Sequence, residues 1–409
     1  MADHYAEERI RSRLLATAPD RAPDHLLEVA FGRIRQLPQR SRRRRWASVA
    51  MRPLPMVFGT GVIAVVLVAS LSLGSKDASA PPDTTTGGPL GPNSALTSQI
   101  TGQWVTRSEV AFSVQFASPE DEPLYWRAAV YDHFDLTSWG QSVTSGYDVE
   151  AGEDVLGDTA EAVSEDGRRA VTFTVAPRDF RATAIVSPQS PAKVDTRVRV
   201  SYVDDARFVA NIDRQGSDPY TVTALVREHA DTASGITASK LRAAGTAYPE
   251  AITQRYLQVP DGGLGTAAEQ LLADILAETP DPNNPYDVAS TIVDYLRSPA
   301  NFTYDADVRD LACDRLSTVE CFARFKQGYC QYYATTMAIL LRERGIPARL
   351  VAGFLPGERT GNSEVIRFNG AHAWVEVYFP GYGWVEFDAT GGGISAIQPF
   401  PTGEPVQVP

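Results

Sequence analysis

Three residues late in the chain have the types and spacing of a thiol acyl-transfer site. Cys330 lies in the run KQGYCQYYA (residues 326–334), His372 in GAHAWVEVY (370–378), and Asp388 in GWVEFDAT (383–390). A thiol attacks a carbonyl as the thiolate. It therefore needs a base to take its proton, and it gains from the positive end of a helix dipole. After Cys330, the positions Ala334, Met337, Ala338 and Leu341 predict a helix with one apolar stripe. Arg342 and Arg344 would complement the C-terminal end of its dipole, Gly345 would close it, and Pro347 forbids its continuation. Cys330 thus falls in the first turn, where backbone N–H groups without helical partners point outward and can steady a negative sulfur or an oxyanion. Gly328 permits close approach of backbone two residues earlier. The plain alternative for a lone Cys is a small buried hydrophobe.

His372 alternates with Ala371, Ala373, Val375 and Val377, and Asp388 with Val385 and Phe387, so each polar side chain faces away from the apolar side of its strand. His372 is the one base close to Cys330 in the last third of the chain. Its expected role is to take the thiol proton and return it to the leaving group, with Asp388 holding the imidazole tautomer. Otherwise the His is a structural strand residue and the Asp a turn former. For the two to share a face of one hairpin, facing positions must have an even sum. That predicts an odd-length loop, placed at residues 379–383, or a bulge. Gln327 and Tyr329 are the candidates for a second oxyanion donor.

These residues need elements to hold them. Residues 99–230 read as a β-rich domain: 110–116, 171–175 and 220–226 alternate, and further β-prone runs lie at 124–131, 182–186 and 198–203. The acidic stretch 147–168 reads as a loop. Residues 231–300 change to a helical period, with helices expected over 249–257 and 266–278. A third is capped by Asn284 with Pro285 in its first turn, and carries Ala289, Ile292, Val293 and Leu296 on one face. Residues 301–395 then run loop, helix and three strands, and 396–409 form a loose tail.

The chain's ends are asymmetric in charge. Residues 1–52 carry 12 Arg against 6 acidic residues, whereas the whole chain of 409 residues has a net charge of −12. The uncharged run Leu54–Leu73 is long enough for one membrane crossing. It has no polar face, which argues against a core helix, and too much chain precedes it for a signal peptide. The Arg residues between 40 and 52 predict a cytoplasmic N-terminus. The expected order is a basic cytoplasmic helical segment (1–52), a transmembrane helix (53–74), a flexible linker (75–98), the extracytoplasmic β-rich domain (99–230), the site-bearing domain with its helical lead-in (231–395) and the tail. Beside a span, the basic run fits anionic headgroups better than nucleic acid. Of the three cysteines, Cys313 and Cys321 could pair and leave Cys330 free, or all three could be free thiols. No C-x-x-C is present, and no loop resembles an EF-hand, so neither a metal nor another cofactor is implied.

The stretch GYCQYYATTMAILLRERGIPARLVAGF (328–354), with GAHAWVEVY and GWVEFDAT, resembles the core of the transglutaminase-like superfamily. LYWRAAVYDHFDLTSW (124–139) and YPEAITQRYL (248–257) resemble bacterial membrane-anchored proteins of the TgpA type, which carry more membrane spans than the single one expected here. The resemblance implies an α+β fold, in which the helix bearing Cys330 packs on an antiparallel sheet in a papain-like transglutaminase core. It also implies Cys330, His372 and Asp388 as nucleophile, base and orienting acid. The expected function is a membrane-tethered extracytoplasmic cysteine enzyme that forms a thioester with a protein or peptide amide at the cell envelope. It would transfer the acyl group to water or to an amine, with a lean towards hydrolysis. The alternative is a catalytically silent module of the same fold that organises envelope partners. A third reading is a regulator signalling through residues 1–50.

Overall fold

The computed structural model describes residues 97–395, except 101, 105–106, 158, 160–166, 179, 181–182, 204–206 and 229–234. The expected cytoplasmic segment, membrane span and tail lie outside the described residues. Among the described residues no helix is long and apolar enough to cross a membrane.

The first part of the chain is made of strands: β1 (Thr97–Gln99), β2 (Val110–Phe116), β3 (Trp126–Tyr131), β4 (His133–Phe134), β5 (Ser138–Gly140), β6 (Ser145–Val149), β7 (Arg168–Pro177), β8 (Ser190–Val194), β9 (Val198–Val203), β10 (Phe208–Arg214) and β11 (Tyr220–Arg227). Helices follow: α1 (Ala238–Ala243), α2 (Glu250–Tyr256), α3 (Thr266–Glu278) and α4 (Pro285–Arg297). The last part holds β12 (Thr303–Tyr304), α5 (Thr318–Phe325), β13 (Gln327–Gly328), α6 (Cys330–Glu343), β14 (Ala348–Phe354), β15 (Glu358–Thr360), β16 (Ser363–Arg367), β17 (Ala371–Phe379) and β18 (Gly383–Phe387).

Alternation decides the long strands. In β11, Tyr220, Val222, Ala224 and Val226 are buried. On its other face Thr221 and Thr223 meet Thr174 and Thr172 of β7 hydroxyl to hydroxyl, at 3.1 and 3.0 Å. The acidic stretch expected as a loop is entered by β6, and β1 begins within the last residues of the expected linker.

Two strand exchanges tie the parts together. A six-stranded sheet has the order β15-β16-β2-β7-β11-β8, so a hairpin from late in the chain extends an early sheet. The second sheet has the order β18-β17-β14-β3, so an early strand closes the late sheet. Buried Glu364 of β16 ties the late hairpin to β3, accepting from Trp126 Nε1 at 3.2 Å, and also accepts from Arg359 Nη2 of β15 at 2.7 Å. Arg127 of β3 fastens the second. It reaches Glu376 of β17 at 3.2 Å, and Arg349 of β14 holds the same carboxylate at 2.7 Å.

Helix α6 packs against β14 and β17, and every residue from Cys330 to Arg342 is buried. It is therefore a central helix, broader in its packing than the single stripe expected. Arg342 does not sit at a solvated helix end. Its guanidinium donates to the carbonyls of Ala348 (2.8 Å), Asp132 (2.9 Å) and Gln258 (3.0 Å) and lies over the Trp139 ring. This satisfies a buried charge by backbone acceptors from three separate segments. Asn284 caps α4 as expected, accepting from the N–H groups of Tyr286 and Asp287.

Candidate active site

Each of the three expected residues stands at an element boundary. Cys330 is the first residue of α6, with Tyr329 in extended conformation as the cap. Helix α5 ends at Lys326 in the left-handed region (φ 58°), and β13 pairs in parallel with β12 before the chain turns into α6. Gly328 fits here because a Cβ would stand 2.7 Å from Tyr332 Cβ and 2.9 Å from the Phe322 ring. A disulfide joins Cys313 to Cys321 on α5 and leaves Cys330 as the free thiol.

His372 is the second residue of β17, and Asp388 follows the last residue of β18. The β17–β18 ladder pairs Val375 with Phe387 and Phe379 with Gly383, an even sum that puts His372 and Asp388 on one face. The even register agrees with expectation. The loop itself is shorter than the five residues expected, because Phe379 and Gly383 still pair and only 380–382 remain to turn the chain.

The three side chains meet. His372 Nε2 lies 2.9 Å from Asp388 Oδ2, and the Cys330 thiol is a hydrogen-bond neighbour of the same imidazole. With Nε2 committed to the carboxylate, Nδ1 is the nitrogen left for the sulfur. All three residues are 1% exposed. Burial alone would draw the His372 imidazole down, but the Asp388 carboxylate and Cys330 outweigh it and push the group up to about 10. Burial would raise the Asp388 carboxyl. His372 and Thr390 instead hold it well below the usual carboxylate range. Such a cluster sets a nucleophile beside an imidazole that can carry a proton, with a carboxylate orienting the ring.

Side chains with no sequence signal complete the cluster. Tyr125, immediately before β3, donates its phenol to Asp388 Oδ2 at 2.8 Å. Thr390 N–H donates to Oδ1 at 2.9 Å. Arg297, the last residue of α4, donates to the Asp388 carbonyl and to Ser395 Oγ. Residues 391–395, the end of the expected site-bearing domain, return over the site. A Cβ on Gly391 would meet Tyr333 Oη at 3.1 Å, and one on Gly392 (φ 73°) would meet Tyr304 Cβ at 2.8 Å. Burial, with Cys330, Tyr333 and Asp388 nearby, pushes the Tyr304 phenol above its ordinary range.

The two candidates for an oxyanion donor flank Gly328 just before α6. Tyr329 is a core side chain, its ring 5.4 Å from Trp104 and 5.0 Å from Tyr332, and Gln327 belongs to the short parallel pair. Among the described residues no group of three or more His, Cys, Asp and Glu side chains is placed to hold a metal ion.

Comparison with known proteins gives two family matches. Residues 272–389 match the transglutaminase-like superfamily core, and residues 21–230 match the TgpA N-terminal domain. A protein-glutamine gamma-glutamyltransferase of Pseudomonas aeruginosa is 27% identical over 297 residues, covering 69% of this chain and 38% of the relative. Bacillus subtilis YebA is 37% identical over 147 residues, covering 34% of this chain and 19% of the relative. The chain thus spans well under half the length of these two relatives. The crystal structure of the periplasmic domain of TgpA from Pseudomonas aeruginosa superposes with a TM-score of 0.49 at 24% identity, covering 69% of this chain and 88% of that one.

Proposed function

The chain belongs to the transglutaminase-like superfamily and carries a TgpA-type N-terminal domain, and from that membership we propose that it is a membrane-tethered, extracytoplasmic cysteine acyltransferase acting on protein or peptide amides. The observation that carries this reading is the meeting of Cys330, His372 and Asp388 in one buried cluster at the N-terminus of α6. The extracytoplasmic placement is supported by the Cys313–Cys321 bridge, which suits an oxidising compartment, and by the Arg-flanked apolar run at 53–74.

In the proposed reaction the Cys330 thiolate adds to the amide carbonyl, and the tetrahedral intermediate forms next to the N–H groups of the first helical turn. Its C–N bond then breaks, and the leaving amine takes a proton from the His372 imidazolium, leaving a thioester. The acceptor, a primary amine or water, attacks the thioester carbonyl while the imidazole removes its proton. Expulsion of the sulfur yields a new amide or an acid and restores the starting pair. Asp388 keeps the imidazole oriented throughout. The gamma-glutamyltransferase name of the Pseudomonas relative supports a glutamine side chain as donor and an amine as acceptor.

The test is mass spectrometry of glutamine-containing peptides incubated with the extracytoplasmic portion and a primary amine. Amine adducts at glutamine, lost in Cys330→Ala, are the expected result. Shortened peptides would make the enzyme a protease instead. No Cys330-dependent product, with Cys330 alkylation indifferent to His372→Ala, would leave a silent binding module.

A further inference from the structure

Asp388 receives two donors on one oxygen. His372 Nε2 stands 2.9 Å from Oδ2, and Tyr125 Oη stands 2.8 Å from the same atom, while Thr390 N–H occupies Oδ1 at 2.9 Å. A carboxylate held from three sides cannot rotate about its terminal bond, so its direction towards the imidazole is set by its other donors.

The Tyr125 ring is fixed as firmly as its hydroxyl. It is 3% exposed, and it packs edge-on against His372 (centroids 6.0 Å apart, 65° between planes) and Trp374 (5.1 Å, 80°). Ser395 Oγ lies 3.5 Å from the phenol oxygen. Tyr125 comes from the segment that leads into β3, the early strand added to the edge of the late sheet. Its position at the site therefore depends on that strand exchange.

We propose that Tyr125 is a positioning residue: its phenol, sharing Asp388 Oδ2 with His372, fixes the carboxylate–imidazole pair and makes the segment before β3 an obligatory part of the Cys330 site. This rests on the function proposed above. The shared oxygen also has an electronic consequence. A phenol that draws on the carboxylate's charge reduces its pull on the imidazolium, so the imidazolium gives up its proton to a leaving amine more readily.

Tyr125→Phe keeps the ring and removes only the hydroxyl. The experiment compares wild type, Tyr125→Phe and His372→Ala by three readouts: the pH dependence of Cys330 alkylation, the downfield proton resonance of the His372 ring N–H, and steady-state kinetics with a glutamine peptide and an amine. The expected result for Tyr125→Phe is a moved His372 resonance, an alkylation profile displaced along the pH axis, and kcat lowered about tenfold or more with KM held within about twofold. If His372→Ala displaces the alkylation profile and Tyr125→Phe leaves resonance, profile and kcat as in wild type, the positioning role is overturned while the enzyme reading stands. If His372→Ala itself leaves alkylation unchanged, the enzyme reading fails. The moved resonance would then show only that the phenol shapes a structural pair, which also overturns the catalytic form of the proposal. A Tyr125→Phe variant that unfolds is answered by Tyr125→His, whose ring N–H can replace the donor. Restoration of folding without restoration of kcat makes the Tyr125–Asp388 hydrogen bond a structural one and overturns the positioning role.

Discussion

The charge pair of His372 and Asp388 is buried on both sides, so its ionisation is linked to stability as well as to chemistry. The imidazole is raised from its ordinary value near 6.5 to about 10. Its stabilising contribution is therefore complete below the unfolded value and is lost as pH rises through about 10. Asp388 is depressed, so its contribution is present above the ordinary carboxylate range and is lost as pH falls towards its lowered value. Breaking one side of such a pair strands the other charge and costs about 3–5 kcal/mol. Thermal unfolding of wild type and His372→Gln should therefore differ most between these limits and converge at strongly alkaline pH. An equal gap from pH 6 to pH 11 would refute the linkage. The three principal residues were legible in the sequence because a thiol before a helix, and polar residues alternating on strands, carry chemical meaning by type and position. Tyr125 was not, because nothing local records that a phenol 263 positions away will meet Asp388.

Among the elements, those with strong local signals matched their expected bounds, notably α3 over 266–278 and α4 behind its Asn284 cap. Helix α5 is only eight residues long and lies within the stretch expected as a loop. Its capping signature was nonetheless present. Ser317 accepts from Glu320 N–H at 3.1 Å, but the Glu320 carboxylate turns away to the N–H groups of Ala267 and Ala268 at 3.2 and 3.0 Å. One acidic side chain thus caps the neighbouring helix α3, a use that no local pattern announces. The β15–β16 hairpin was missed for a related reason: it is short and polar, and its pairing partner β2 lies far away in sequence. Gly353 marks where such long-range pairing leaves no room. A Cβ there would stand 2.0 Å from the Trp126 carbonyl oxygen and 2.7 Å from the Trp374 ring, beside the irregularity in the β14–β3 ladder. Gly353→Ala should push β3 off β14, lowering stability by about 2 kcal/mol or more by denaturant titration. Activity should fall further than stability, because Tyr125 moves with β3. Unchanged stability would mean that the ladder accommodates a side chain.

At the scale of the molecule, the two strand exchanges bind early and late sequence into one body. A fragment covering only residues 235–395 would lack β3 at the edge of its sheet and β2 beside its β15–β16 hairpin. It would also leave Glu376 with Arg349 alone, without Arg127. Such a fragment should be poorly soluble and show no cooperative thermal transition, whereas residues 97–395 should unfold in one step by circular dichroism. A sharp transition in the short fragment would show that the exchanges are dispensable. The same interlocking sets a timetable for the nascent chain. β3 leaves the ribosome long before β14 is made. At ordinary synthesis rates its edge waits on the order of ten seconds for its partner. During that interval an apolar strand end is open to mispairing with any neighbour. Chaperoning of the growing chain therefore matters most between the synthesis of residue 131 and that of residue 354.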